Sequence, residues 1–171
     1  MERTKWVERK FTFDFPEGWI FNILERLRGT PIRIKEMTLG ISDDEASQGY
    51  NDKWSIKEHI GHLYDLEALH EGRLDDFRTR KEILRAADMS NALTNESHHN
   101  DRSTDALLQM FTKSRHDFIT KLESLDDETQ RRTALHPRLN VMMRPVDVAY
   151  FTAEHDDHHL ASIREMVRAE E

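Results

Sequence analysis

Apolar residues recur at three- and four-residue intervals in four separate stretches of the chain, and each stretch predicts a helix with one buried face. The first opens at Pro16 and Glu17, which suit a first helical turn, and continues through Trp19, Ile20, Ile23, Leu24 and Leu27. Gly29, Thr30 and Pro31 interrupt it, yet Ile34 and Met37 keep the period, so a kink or brief restart is expected there. The second begins at Ser55, with Glu58 three residues later in a capping-box arrangement. Ile56, Ile60, Leu63, Leu66, Leu69, Leu74 and Phe77 form its stripe. Leu107, Phe111, Phe118, Leu122 and Leu125 mark the third, ended by Asp126 and Asp127. Pro145 opens the fourth, and Val146, Ala149, Tyr150, Ala153, Leu160, Ile163 and Val167 carry it almost to the C-terminus.

Polar segments separate these stretches. Ser42 to Asn51, with Gly49, reads as a loop. Arg85 to Asp101, rich in Asn, Ser, Asp and His, is a long connection between the second and third helices. Leu135 to Arg144 is another between the third and fourth. Strand-type alternation is confined to Phe11, Phe13 and Phe15, and there is no internal repeat. The expected fold is all-α, with residues 1–171 forming a single helical-bundle domain around one core. Apolar residues make up 37% and charged residues 34%, so each helix must show one greasy stripe and one solvated face.

Twenty-five basic against 33 acidic residues give a formal net charge of −8, which repels a phosphate backbone, so no nucleic-acid partner is expected. No run of about 18 apolar residues is present to span a bilayer, and Met1 to Lys10 is charged throughout, unlike a secretory signal. The expectation is a cytoplasmic protein with no membrane partner. The absence of cysteine removes disulfides, thiolate ligands and a cysteine nucleophile together, so any thiol chemistry needs a thiol from outside.

Candidate chemistry rests on histidine, of which there are ten. His155 and His159 are four residues apart, hence about 40° apart around a helix axis, and can share one ion. His158, about 60° from His155 on the other side, makes a His155 and His158 pair equally possible in spacing alone. Two helical histidines rarely suffice, so a third ligand must come from another helix. His62, inside the second helix, is the candidate, while His59 faces either a neighbour or water.

The segment Lys53-Trp54-Ser55-Ile56-Lys57-Glu58-His59-Ile60-Gly61-His62-Leu63 resembles the DinB-family signature, in which a tryptophan is followed eight residues later by a metal-binding histidine. Glu154-His155-Asp156-Asp157-His158-His159 resembles its second half, whose ligands are the first and last histidines of an HxxHH pattern. The stretches RLRGTP (Arg26 to Pro31) and LHPRLNVMMRP (Leu135 to Pro145) are also similar to members of this group. The resemblance implies a DinB/YfiT-like four-helix bundle, often a homodimer, with His62, His155 and His159 holding one divalent metal, zinc or nickel. It also implies activation of a low-molecular-weight thiol co-substrate for attack on a small-molecule electrophile.

Three neutral imidazoles leave a coordination position open, the pattern of catalytic zinc. Such an ion activates water or a thiol alike; the resemblance puts a metal-dependent transferase first, with a hydrolase or a non-catalytic metal- or ligand-binding bundle as the alternatives. Glu58, Asp65, Glu154 and Asp156 are candidates to orient the imidazoles from behind, with Asp157 nearby, unless they are solvated charges or, for Glu58, a helix cap. His158 is a candidate to line the cavity. Trp54 reads as a staple at the start of the second helix, His98, His99 and His136 as loop or turn residues, and Met142 and Met143 as packing.

Overall fold

The structure, a computed structural model, describes residues 3–49 and 53–169. Along them run α1 (Ile20–Met37), α2 (Asp43–Ala46), α3 (Ile56–Arg78), α4 (Ala92–Glu96), α5 (Thr104–Glu123), α6 (Asp127–Gln130), the strands β1 (Ala134–His136) and β2 (Val141–Met143), and α7 (Pro145–Ala169). The four periodic stretches are thus the four long helices α1, α3, α5 and α7. Ser55 and Glu58 form the expected capping box, and Pro145 is the first residue of α7. α3 packs on α5 and α7, and α1 on α7 and α5, so consecutive long helices α1 and α3 lie on a diagonal of the bundle.

The chain does not restart at Pro31: α1 runs through it as one helix from Ile20 to Met37. Proline removes the N–H that would bond the Leu27 carbonyl one turn earlier. Arg115 of α5 takes over, its Nη1 donating to the Leu27 oxygen at 3.4 Å.

The segments read as connections carry short structure of their own. Ser42 caps α2 with Glu45 in a second capping box, and the end of that expected loop, Tyr50 and Asn51, lies outside the described residues. The Arg85 to Asp101 segment contains α4 and a 3-10 turn at His99–Asp101. Leu135 to Arg144 supplies most of an antiparallel hairpin, with Ala134 opposite Met143 and His136 opposite Val141. Asp126 ends no helix but caps α6, accepting from the Thr129 N–H at 2.7 Å. Phe11, Phe13 and Phe15 do alternate, half-buried against exposed Thr12 and Asp14, but no strand forms. Their rings pack on Phe151 and Tyr150 of α7, which replaces a sheet as the apolar partner.

Aliphatic and aromatic side chains fill both ends of the bundle: Ile34, Ile60, Phe111 and Ile163 toward one end, Leu27, Leu74, Phe118 and Ala149 toward the other. Between them lies a buried polar group. Arg115 donates to Glu67 Oε1 through Nε (3.0 Å) and Nη2 (2.6 Å) and also pairs with Asp156, which accepts from the Thr30 hydroxyl at 2.7 Å. One guanidinium thus serves two buried carboxylates. Burial pushes the Glu67 carboxyl up to about 7, against the attraction of Arg115 and with the Asp156 charge adding to the rise.

Candidate metal centre

α3 and α7 bring His62, His155 and His159 together. One ring nitrogen from each lies within 4.8 Å of the others, and the Nε2 atoms of His155 and His159 are 3.1 Å apart. Two nitrogens bound at ~2.0–2.1 Å in tetrahedral geometry stand about 3.3 Å apart, so this spacing is that of two ligands of one ion. The rings of His62 and His159 are 4.9 Å apart, those of His62 and His155 5.4 Å.

The outward nitrogens show which lone pairs face inward. The Thr94 hydroxyl donates to Asp65 Oδ2 at 2.9 Å, so its oxygen accepts from His62 Nδ1 at 3.0 Å, which leaves His62 Nε2 unprotonated. His99 Nε2 also donates to Asp65 Oδ2, at 2.8 Å. Behind His159, the His59 Nδ1 is 2.8 Å from the His159 Nδ1. His155 Nδ1 is buried with no partner among the described residues. Burial is the first cause of depressed pKa throughout: to about 4 at His62, where Asp65 opposes it, to about 3 at His59, and well below the usual imidazole range at His155 and His159. The converging imidazoles are therefore neutral at pH 7, and each can offer one nitrogen lone pair to an ion at a common point. Three neutral imidazole donors within mutual reach are a set that fits a divalent ion.

Trp54 is more than a staple for α3. Its ring lies 4.7 Å from His62 and is stacked at 6.2 Å on His159, while its Nε1 donates to Asn95 Oδ1 at 3.2 Å. Trp6, from the N-terminal segment, meets the His155 ring edge-on at 4.9 Å. The two indoles flank the triad where it opens on a cavity of about 1300 Å³. Leu66 and Leu69, expected in the core stripe of α3, line that cavity instead. Glu67, His70 and Arg73 occupy buried positions on the same helix.

The carboxylates adjacent in sequence turn elsewhere, because residues next to a ligand are rotated ~100° around the helix. Glu154 pairs with Arg9 and Arg26, Asp156 with Arg115, and Asp157 with Arg26 and Arg33. Glu58 accepts from the Ser55 N–H as a cap. None of these contacts an imidazole of the triad. Of the expected orienting acids only Asp65 acts toward it, through Thr94. His158 lines the cavity beside Trp6, its ring 5.4 Å from that of His159. Thr94, in a segment read as a connection, carried no signal in the sequence, and His99 was visible there only as a loop histidine. His59, one turn before His62, did carry a signal.

Residues 25–163 match the DinB superfamily. The chain belongs to that superfamily. Two solved structures resemble this DinB chain over most of its length. One is YfiT from Bacillus subtilis, a probable metal-dependent hydrolase with an unusual four-helix bundle topology, at 18% identity and a TM-score of 0.80, covering 94% of this chain and 93% of YfiT. The other is a mycothiol-dependent maleylpyruvate isomerase, at 13% identity and a TM-score of 0.69. That match covers 90% of this chain but 63% of the isomerase. At such identities the likeness establishes the fold. None of the curated proteins matches the DinB chain. Among the described residues, no helix is long and apolar enough to cross a membrane.

Proposed function

We propose that this DinB protein is a metal-dependent enzyme in which His62, His155 and His159 hold one divalent ion, zinc or nickel, and which activates a low-molecular-weight thiol for transfer to a small electrophile. The observation that carries this reading is the convergence of three neutral imidazoles from two helices at the mouth of a large cavity. A closed structural site uses four protein ligands, whereas three leave room for an exchangeable one. When bound, the ion supplies Lewis acidity that lowers the pKa of a coordinated thiol or water toward neutrality.

The chain's own residues set the conditions for that chemistry. Thr94 and Asp65 fix the tautomer and ring plane of His62, and His59 holds His159 from behind. Trp54, Trp6, Leu66 and Phe151 give the cavity an apolar wall that limits water. No cysteine is present to act as nucleophile, which favours a thiol delivered from solution. Water in the same role would make the protein a hydrolase, the reading favoured by the description of YfiT.

Elemental analysis of the purified protein, followed by a conjugation screen with glutathione, coenzyme A, bacillithiol and mycothiol against small electrophiles, tests the proposal. A stoichiometric metal and metal-dependent conjugation are expected. Hydrolysis without thiol consumption would select the water route, and absence of bound metal would end the reading. A homodimer is proposed on the resemblance alone and is read by light scattering.

A further inference from the structure

Eleven residues, three full turns, separate His62 from Arg73, so the two lie on one face of α3 about 16 Å apart along its axis. Arg73 lines the same cavity as the triad and is 3% exposed. Its Nε donates to the Arg85 carbonyl at 3.2 Å, and among the described residues its terminal nitrogens meet no carboxylate. Asp76, the acid of its own helix whose charge acts on it, is already taken by Arg85 and Lys81.

Arg138, from the β1–β2 turn, also lines the cavity and also lacks an acidic partner among the described residues. It is held between the rings of Trp6 and Phe151, 5.5 Å from each centroid. The acids that line the cavity are engaged elsewhere: Glu58 caps α3, Glu165 pairs with Arg3, and Asp88 accepts from Ser90 and Ala92.

His136 of β1 completes the group. Its Nδ1 accepts from the Leu139 N–H at 3.2 Å, so in the neutral ring the proton sits on Nε2. That Nε2–H is buried and has no partner among the described residues. Burial first, then the charges of Arg73 and Arg138, depress the His136 pKa to about 4. Burial, with Arg138 and Arg85 adding to it and Asp76 opposing, depresses Arg73 to about 10. The buried Arg73 guanidinium, which has no acidic partner among the described residues, and the orphan N–H of His136 are costly without an anion, and half-buried Arg138 adds a second positive charge beside them.

We propose that Arg73, Arg138 and His136 form an oxyanion subsite that takes the carboxylate or phosphate of a ligand whose other end reaches the three histidines. That the ligand is the substrate or thiol rests on the metal-centre reading; the subsite itself does not. Guanidinium groups match either oxyanion through paired N–H donors, and the unpartnered His136 Nε2–H is a further donor beside them. The class of molecule selected is an acidic one, with charge and reactive group at opposite ends.

Calorimetric titration with succinate, inorganic phosphate and uncharged succinamide tests this on the wild-type protein, its chelated form and His155→Ala. At least one anion is expected to bind in all three forms, and succinamide in none. The tighter of the two anions distinguishes a carboxylate ligand from a phosphate one. Arg138→Gln, at a half-buried position, is expected to weaken that anion tenfold or more, as is Arg73→Gln if that buried variant folds. Absence of binding by both anions, or wild-type affinity in Arg138→Gln, overturns the subsite. Because anion binding is read without metal, loss of the metal reading and loss of this one are separable.

Discussion

His62 Nδ1 and the Thr94 hydroxyl oxygen stand 3.0 Å apart, joined from α3 to the short helix α4 across 32 positions of the chain. Thr94 passes that contact to Asp65, which fixes the His62 proton on the outward nitrogen. Thr94→Val keeps the shape and removes the relay. Metal affinity is expected to fall ~10–100-fold, the usual cost of losing a partner behind a ligand, and Thr94→Ser is expected to restore it. Competition with a chelator of known affinity measures both, and unchanged affinity in Thr94→Val would refute the relay.

His62→Ala, His155→Ala and His159→Ala are each expected to abolish stoichiometric metal, while His158→Ala retains it, since its ring meets Trp6 and the cavity rather than the convergent nitrogens. His59→Phe occupies an intermediate place: metal still binds, but about 10-fold or more weakly, because His159 loses the partner of its Nδ1. Elemental analysis of the five variants reads the order directly. A full metal complement in His155→Ala would remove that residue from the ligand set.

Gly61 in α3 leaves room for the buried ring of His99, and a Cβ there would come within 2.2 Å of the His99 Cγ. Alanine is the better helix former by ~1 kcal/mol, yet overpacking costs ~1–3 kcal/mol. Gly61→Ala is thus expected to destabilise the protein and to weaken metal binding by displacing His99 from Asp65. Adding His99→Ala to Gly61→Ala should return much of the stability by relieving the clash. Chemical denaturation of the single and double variants decides the sign.

Glu67 makes stability depend on pH. Its folded pKa of about 7 lies above the ordinary 4.5, chiefly through burial, so the folded chain holds that proton more tightly than the unfolded one. The stabilisation is fully present below ~4.5 and is lost as pH rises through ~7, with a span on the order of 3 kcal/mol. Glu67→Gln removes the titration. Its melting temperature is expected to rise relative to wild type between pH 5 and pH 8, and a constant difference across that window would exclude Glu67 as the titrating group.

Helical periodicity belongs to local chemistry, which is why α1, α3, α5 and α7, the Ser55 and Glu58 cap and the start of α7 at Pro145 could be read from residue order. Spacing also put His155 near both His158 and His159 on α7 and offered His62 as a third ligand, and the DinB resemblance chose His62, His155 and His159. What local order does not contain is which faces of different helices meet. Only tertiary packing decided that: α3 against α7 brought the three rings to one point with His59 behind His159, α4 set Thr94 behind His62, and α1 and α5 met the neighbouring carboxylates of α7 with Arg26, Arg33 and Arg115. The α1 helix passes through Pro31 for the same reason: the group that satisfies the Leu27 carbonyl comes from α5, 88 positions away. Side-chain direction on a helix follows from its 3.6-residue turn, but the partner that direction finds depends on tertiary contacts that no stretch of sequence holds alone.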